Sequence, residues 1–267
     1  MRYDLVAIDI DGTLINDDHE LTQGTIEVIQ QISQQGVEIV LCTGRAPKMA
    51  IPIMKEIGLT DYIITHNGAA TIDVSSGEIV NEFPMNTELL SKYIDYCHEH
   101  GIHYDLSTTF DVYVEQLSKL ETFKKEMYRK FLIEPQELPE LEQIKQPLVK
   151  LMTAGSIEQI DLLCQEWPTW NVEYNIVRSG EFFVDMMDKD ASKGAALKAL
   201  ADARGFAPQQ VMAIGNYYND ITMLTYAGLG VAVDNAPVEV KAAANVITAT
   251  NNDEGVKIAL QKYCLQS

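Results

Sequence analysis

Cysteine is sparse and scattered in this chain: Cys42, Cys97, Cys164 and Cys264 are the four, and no C-x-x-C pair occurs. That spacing excludes a zinc ribbon and a dense disulfide framework. The five histidines, His19, His66, His98, His100 and His103, likewise lack zinc-ligand spacing. No apolar run approaches the roughly 18 residues that a membrane span needs. Asp4 and Asp9 interrupt the first apolar stretch after Met1-Arg2-Tyr3, so no signal peptide is expected. Basic side chains are few: 20 Lys and Arg stand against 39 Asp and Glu, a formal net charge of −19. So acidic a chain repels nucleic-acid backbones and anionic membranes, which argues against both as partners. A cytoplasmic, enzyme-like globule is the expectation. An anionic ligand would need a local positive centre or a metal ion to overcome the same field. The length, 267 residues with 46% hydrophobic, suffices for two domains with separate cores.

What is present centres on Ile8-Asp9-Ile10-Asp11-Gly12-Thr13-Leu14. It closes an apolar run, Leu5-Val6-Ala7-Ile8, that reads as a buried strand ending in a glycine turn. In an extended chain, residues two apart point the same way, so Asp9 and Asp11 are expected on one face. Two carboxylates held together repel when ionised, and one tends to keep its proton. The pair then offers a charged oxygen nucleophile beside a proton donor. It would lie at a strand's carboxyl end, where open parallel sheets bind ligands. Asp-Gly by itself is an ordinary turn opener, so the pair gains weight only from the rest of the chain.

Thr25, Val28, Ile29 and Ile32 have helical spacing up to Gly36, and Val37 to Cys42 is a second strand running into Thr43-Gly44-Arg45. Strand, helix, strand in this order implies a parallel crossover. Pro47 suits the first turn of another helix. Tyr62 to Thr65 is a third strand, ending in His66-Asn67-Gly68, and Thr71 to Val74 with Glu78 to Val80 reads as a hairpin. From 84 to 187 the pattern is mixed. Helical stretches lie near 87–100, 118–131 and 156–165, and strands near 111–115, 148–153, 171–177 and 181–186. Phe110, Tyr113 and Phe182 are expected in the core of that segment. Past Asp190 the earlier rhythm resumes, with Ser192 as a helix N-cap and strands at 211–214, 229–233 and 246–248. The expected fold is α/β: a doubly wound, mostly parallel core of residues 1–83 plus 188–267, with an inserted α/β cap at 84–187.

Four strand ends carry polar clusters: Asp9/Asp11, Thr43-Gly44-Arg45, His66-Asn67-Gly68 and Gly215 to Asp220. In one parallel sheet all four converge on a single crevice. Lys193 adds an electrostatic clue. It holds the first position of its helix, where the dipole disfavours a cation unless an anion binds there; a solvated lysine is the alternative. Asp9-Ile10-Asp11-Gly12-Thr13, Thr43-Gly44-Arg45, Asn67-Gly68-Ala69, Ser192-Lys193-Gly194 and Gly215-x-x-x-Asn219-Asp220 resemble the haloacid-dehalogenase-like superfamily in order and spacing. More narrowly, the chain is similar to its Cof-type branch of sugar and metabolite phosphatases, which carry a large α/β cap between the second and third motifs. The likeness runs through the tail Thr250 to Val256.

The resemblance implies a Mg²⁺-dependent phosphomonoesterase acting on a small phosphorylated metabolite, as a monomer or weak homo-oligomer. Sugar phosphates, flavin nucleotides and pyridoxal phosphate all stay open as substrates. It casts Asp9 as the nucleophile that forms an aspartyl-phosphate. Asp11 would protonate the leaving oxygen and then deprotonate water. Thr43, the amides of Ile10 and Gly44, Lys193 and Asn219 would hold phosphate oxygens, with Arg45 and Asn67 as substrate candidates. Mg²⁺ would bind Asp9, the Asp11 carbonyl, Asn216 and Asp220. Relatives commonly carry Asp where this chain has Asn216. The lost charge predicts weaker Mg²⁺ binding, with more of the load on Asp220. Asn216 also keeps open a metabolite-binding or regulatory protein with weak catalysis, and transfer to a second substrate hydroxyl would make a phosphomutase. Val233-Asp234-Asn235-Ala236 departs from the Met-Gly-Asn-Ala of relatives, with no function attached. Cys42 to Arg45 is too short for a cysteine-phosphatase loop, and neither a dinucleotide fingerprint nor a P-loop is present.

Overall fold

The computed structural model describes residues 3–130, 133–170 and 173–265. Residues 131 and 171–172, which the sequence gives to a helix end and a strand start, lie outside the described residues. The chain divides into two compact units. One comprises Met1–Gly44, Ile51–Asn81 and Ser192–Ser267; the other comprises Arg45–Ala50 and Glu82–Ala191. Among the described residues no helix is long and apolar enough to cross a membrane.

In chain order the first part contributes β1 (Leu5–Ile8), α1 (Gln23–Gln34), β2 (Glu38–Cys42), α2 (Pro47–Ile57), β3 (Tyr62–Thr65), β4 (Ala70–Asp73) and β5 (Ile79–Glu82). The middle contributes α3 (Leu90–His100), β6 (His103–Ser107), β7 (Val112–Val114), α4 (Thr122–Lys130), β8 (Gln136–Glu137), β9 (Lys150–Ala154), α5 (Ile157–Glu166), β10 (Tyr174–Gly180) and β11 (Phe183–Asp188). The remainder is α6 (Lys193–Arg204), β12 (Val211–Gly215), α7 (Ile221–Tyr226), β13 (Leu229–Ala232), α8 (Val238–Ala243), β14 (Val246–Ile247) and α9 (Gly255–Leu260).

The first unit is built on a sheet of order β14-β13-β12-β1-β2-β3-β4-β5, parallel from β14 to β3 and turned antiparallel at β4. All four residues of β1 are buried, as a strand covered on both faces requires. The pleat sends Leu5 and Ala7 to one face, where they pack with Leu197 and Leu200 of α6 and Met223 and Leu224 of α7. Val6 and Ile8 take the other face. β1 has parallel neighbours on both sides, Ile8 registering with Ile214 and with Leu41. β1 leads through α1 to β2 on one side and β12 leads through α7 to β13 on the other, so the carboxyl ends of β1, β2, β3 and β12 open the crevice that such sheets use. Gly68, at φ +97°, closes this region, since a Cβ there would stand 2.1 Å from the Ser192 carbonyl oxygen.

The second unit is a sheet of order β10-β11-β9-β6-β7-β8, antiparallel except between β7 and β8. Helices α3 and α5 cover one face through Leu90, Tyr93, Cys97, Ile160 and Leu163, against Tyr104, Leu106, Leu151 and Val184. Trp167 is wholly buried there, and Tyr93 meets it edge-on at 5.0 Å. The expectation for the aromatics holds for Tyr113, which is buried, and fails for Phe110 and Phe182, which are exposed at loop positions between strands.

Strand β6, which sits inside the sheet, is absent from the sequence reading. Its residues alternate His103, Asp105 and Ser107 on one face with Tyr104 and Leu106 on the other. The first set is polar and, for Asp105 and Ser107, buried, so hydrophobic periodicity gives no signal. Tyr128 of α4 donates to Asp105 Oδ2 at 2.8 Å, and His103 Nε2 lies 2.8 Å from the same hydroxyl. Because that hydroxyl donates to the carboxylate, the imidazole supplies the N–H of the second bond. Lys150 Nζ pairs with Asp185 Oδ1 at 3.5 Å nearby.

Burial pushes Asp105 up to about 7 although Lys150 and Tyr128 work against it, whereas burial, with Lys124 adding, pulls His103 down to about 4. The two shifts oppose each other in stability. Folding retains a proton on Asp105 between its ordinary 3.8 and about 7, so that contribution falls as pH rises through the window. Folding excludes a proton from His103 between about 4 and 6.5, so that contribution rises over nearly the same range. Asp105→Asn leaves only the second slope. The variant is therefore expected to gain stability relative to wild type as pH goes from about 4 to about 7. Urea unfolding followed by tryptophan fluorescence measures it, since Trp167 and Trp170 both lie in this unit. A difference independent of pH would show that Asp105 ionises normally.

Candidate active site

The Asp9 amide donates to the Ile214 carbonyl at 3.0 Å, so Asp9 prolongs the β1–β12 ladder and is buried. The chain then turns sharply. Amides of Thr13 (3.3 Å), Leu14 (3.0 Å) and Ile15 (3.1 Å) converge on the Ile10 carbonyl. Gly12 makes the turn at φ +71°, and a Cβ there would meet Asn216 Nδ2 at 2.4 Å. The two acids therefore differ more than a common strand face suggests: Asp9 lies in the ladder, and Asp11 is exposed in the turn. The Ile10 amide beside Asp9 donates no hydrogen bond among the described residues.

Lys193 opens α6 behind its N-cap, Ser192, whose hydroxyl accepts from the Ala195 amide at 3.0 Å. The Lys193 ammonium donates to Asp9 Oδ1 at 2.7 Å and to Asp220 Oδ1 at 2.6 Å, with its side chain wholly buried. A solvated lysine is thereby excluded. The liability at the dipole's positive end is answered within the protein, by two carboxylates. Burial works against the charge on Lys193, but Asp220 and then Asp9 outweigh it and hold the ammonium above the ordinary lysine range. Burial, then the Asp220 carboxylate, push Asp9 up to about 7; Lys193 opposes them, and Asp11 adds a smaller push. The principal like-charge neighbour of Asp9 is thus Asp220, where the sequence points to Asp11.

Asp220 is wholly buried, and both its oxygens accept hydrogen bonds. Its Oδ1 faces Lys193, and its Oδ2 accepts from the amides of Asn216 (2.8 Å) and Tyr217 (2.9 Å). It braces the loop that follows β12. Asn216 Oδ1 accepts from the Thr13 hydroxyl at 3.1 Å, linking that loop to the turn after Asp9. On the other side, Asn219 Nδ2 donates to Asn67 Oδ1 at 2.9 Å, and the Asn67 amide donates to the Thr43 carbonyl at 2.9 Å. Asn67 holds φ 56°, and a Cβ on Gly44 would stand 2.8 Å from its Oδ1. Thr43, Gly44, Asn67 and Asn219 are thus brought together, as are Asp9, Lys193 and Asp220. Arg45, half-buried, belongs with the second unit. Thr13 and Thr222, whose hydroxyl accepts the Gly194 amide at 3.0 Å, were given no role from sequence; only the motif membership of Thr13 signals it. Cys42 is buried next to this cluster, and burial pushes its thiol up, which disfavours the thiolate.

Among the described residues, no group of three or more His, Cys, Asp or Glu side chains is arranged to hold a metal ion. The donors that are present, a carboxylate at Asp9, the carbonyl of Asp11 and the amide oxygen of Asn216, are all oxygens. That chemistry fits Mg²⁺, which keeps several waters and needs few protein ligands. The charges also fit: Asp9, Asp11 and Asp220 stand against the single ammonium of Lys193.

Replacing the ammonium strands two buried carboxylates. Lys193→Met is expected to lower stability by ~3–5 kcal/mol in urea unfolding followed by circular dichroism. The loss shrinks in an Asp220→Asn background, where one of the stranded charges is gone. A loss below about 1 kcal/mol would show that Lys193 does not hold the pair together.

The chain matches the model of the haloacid dehalogenase-like hydrolases over residues 6–260. It is 32% identical to a provisionally named phosphatase of Bacillus subtilis (strain 168), over 98% of this chain and 99% of that one. The 5-amino-6-(5-phospho-D-ribitylamino)uracil phosphatase YcsE of the same organism is 28% identical, over 98% of this chain and 96% of its own. In structure, a haloacid dehalogenase-like hydrolase from Bacteroides thetaiotaomicron superposes with a TM-score of 0.83 at 26% identity, over 98% of this chain and 99% of that one. The buried lysine between two aspartates at the carboxyl end of a parallel sheet therefore has a family to belong to: the chain is one of the haloacid dehalogenase-like hydrolases, among their phosphatases.

Proposed function

We propose that this protein is a Mg²⁺-dependent phosphomonoesterase that hydrolyses a small phosphorylated metabolite through an aspartyl-phosphate on Asp9. The observation that carries the reading is the Asp9 carboxylate itself. It is fixed by Lys193 yet keeps 6% of its side chain at the surface, beside the Ile10 amide, which donates no hydrogen bond among the described residues. An oxygen of Asp9 attacks phosphorus, and the bond to the leaving oxygen breaks as Asp11 gives that oxygen a proton. Water then attacks phosphorus, passes its proton to Asp11, and frees Asp9 and inorganic phosphate. The Ile10 and Gly44 amides, the Thr43 hydroxyl, Lys193 and Asn219 receive the phosphate oxygens.

Asp9, the Asp11 carbonyl, Asn216 and Asp220 would hold Mg²⁺, and Asp220 also braces its loop through the amides of Asn216 and Tyr217. When bound, the ion supplies the positive charge that offsets repulsion between a carboxylate and a phosphate dianion. The raised Asp9 supports this: burial and Asp220 disfavour its charged form, and a neighbouring cation favours it. The relative that acts on a phosphorylated ribitylaminouracil supports a metabolite of that size, with sugar phosphates and similar compounds as the first candidates. Such a substrate fits a cytoplasmic enzyme that works without nucleic acid or membrane.

Phosphate release from an aryl phosphate, with and without Mg²⁺, tests the reading. Metal-dependent turnover that disappears in Asp9→Asn is the expected result, and Asn216→Asp should lower the Mg²⁺ concentration giving half-maximal rate. Wild-type protein inert at every Mg²⁺ concentration, with activity restored by Asn216→Asp, would favour a binding protein whose metal site has lapsed.

A further inference from the structure

The turn that carries Asp11 is gripped by asparagines from two distant loops. Asn235, after β13, donates its Nδ2 to the Gly12 carbonyl at 2.8 Å, one residue beyond Asp11. Asn251, after β14, donates its backbone amide to Asn235 Oδ1 at 3.1 Å, so the two act in series. The Asn251 side chain, itself buried, donates to the Ile15 carbonyl at 3.2 Å and to Asp17 Oδ1 at 2.9 Å. Asn252 completes the clasp, exchanging hydrogen bonds with the Asp17 carboxylate (2.9 Å) and the Asp17 amide (3.0 Å). Hydrogen bonds from Asn251 and Asn252 hold the Asp17 carboxyl below its ordinary range, so it stays ionised and remains an acceptor. Both ends of the Gly12–Asp17 segment are thereby fixed to the loops that follow β13 and β14.

Asp11 is exposed on a turn built around a glycine at φ +71°, so its position follows the path of that backbone. A carboxyl group that delivers a proton must lie within hydrogen-bond reach of the leaving oxygen, and a displacement of about 1 Å can cost about a hundredfold in rate. We infer that Asn235 and Asn251 are positioning residues for Asp11: they set the backbone from which it protonates the leaving group. Asparagine suits the task because one side chain both donates and accepts, so it can bridge two backbones. The inference rests on the proposed role of Asp11 as general acid.

A leaving-group series separates positioning from mere folding. kcat/KM is measured for 2,4-dinitrophenyl, 4-nitrophenyl and phenyl phosphate with wild type, Asn235→Ala, Asn251→Ala and Asp11→Asn. This parameter reports only steps up to phosphoryl transfer, so the later water step does not mask the result. Dinitrophenolate leaves without help, whereas phenolate needs the proton. Asn235→Ala and Asn251→Ala are expected to lose roughly 10- to 100-fold on phenyl phosphate. Their loss on dinitrophenyl phosphate should be small, repeating the Asp11→Asn pattern in weaker form. A variant that is merely less folded loses the same factor on all three. Equal losses across the series in both asparagine variants, with Asp11→Asn steep, would overturn the positioning role alone. A flat series for Asp11→Asn would overturn the acid role and this inference together. Asn235 is exposed, so its variant keeps the test decisive should Asn251→Ala fail to fold.

Discussion

The ammonium of Lys193, buried between the carboxylates of Asp9 and Asp220, is the contact on which the carboxyl end of the first unit depends. It joins the end of β1, the start of α6 and the loop after β12, three segments far apart in the chain. Burying charge is unfavourable, and a pair of this kind is sustained only when its remaining hydrogen-bonding capacity is met. The second oxygen of Asp220 takes two loop amides, and Ser192 and Thr222 take amides at the start of α6, which fixes the helix that carries Lys193. Remove the ammonium and the carboxylates repel. The loop that presents Asn216 and Asn219 then loses the brace that shapes it.

One ammonium between two carboxylates also sets the chemistry available. It holds Asp9 in place and lowers its proton affinity, but burial and Asp220 together outweigh that pull, and Asp9 rises to about 7. A further positive charge beside Asp9 would favour its ionised form.

Much of this was legible in the sequence, and the gaps have physical causes. β1, β2, β3 and β12 announce themselves because strands covered on both faces are short, wholly apolar runs. The polar residues at their ends follow from strand order alone. β6 could not be read, because its buried Asp105 and Ser107 are satisfied by partners from α4 and neighbouring strands, which no local pattern encodes. The same limit hid the division of labour among the acids. Sequence spacing placed Asp11 closest to Asp9 in effect, but a glycine turn carries Asp11 to the surface while the fold brings Asp220 in from 211 residues further along. Spacing reveals which residues share an edge of the sheet, and only the folded structure reveals which lone pairs are left.

The overall charge sharpens the point. A chain with a formal charge of −19 whose site holds three carboxylates and one ammonium attracts cations before it attracts phosphate. The long-range field is wrong for the proposed substrate. Any anion bound here must be held by short-range donors, which is what the amide at Ile10, a buried ammonium and a clustered set of asparagine and threonine side chains provide. Interactions of this kind fall off within one hydrogen-bond length, so their strength depends on placement and little on net charge. An acidic protein can then act on an anion only if its site is rigid. That explains why so many of the side chains around Asp9 are spent on holding backbone: Asp220 on its loop, Asn67 on Thr43, Asn235 and Asn251 on the Asp11 turn.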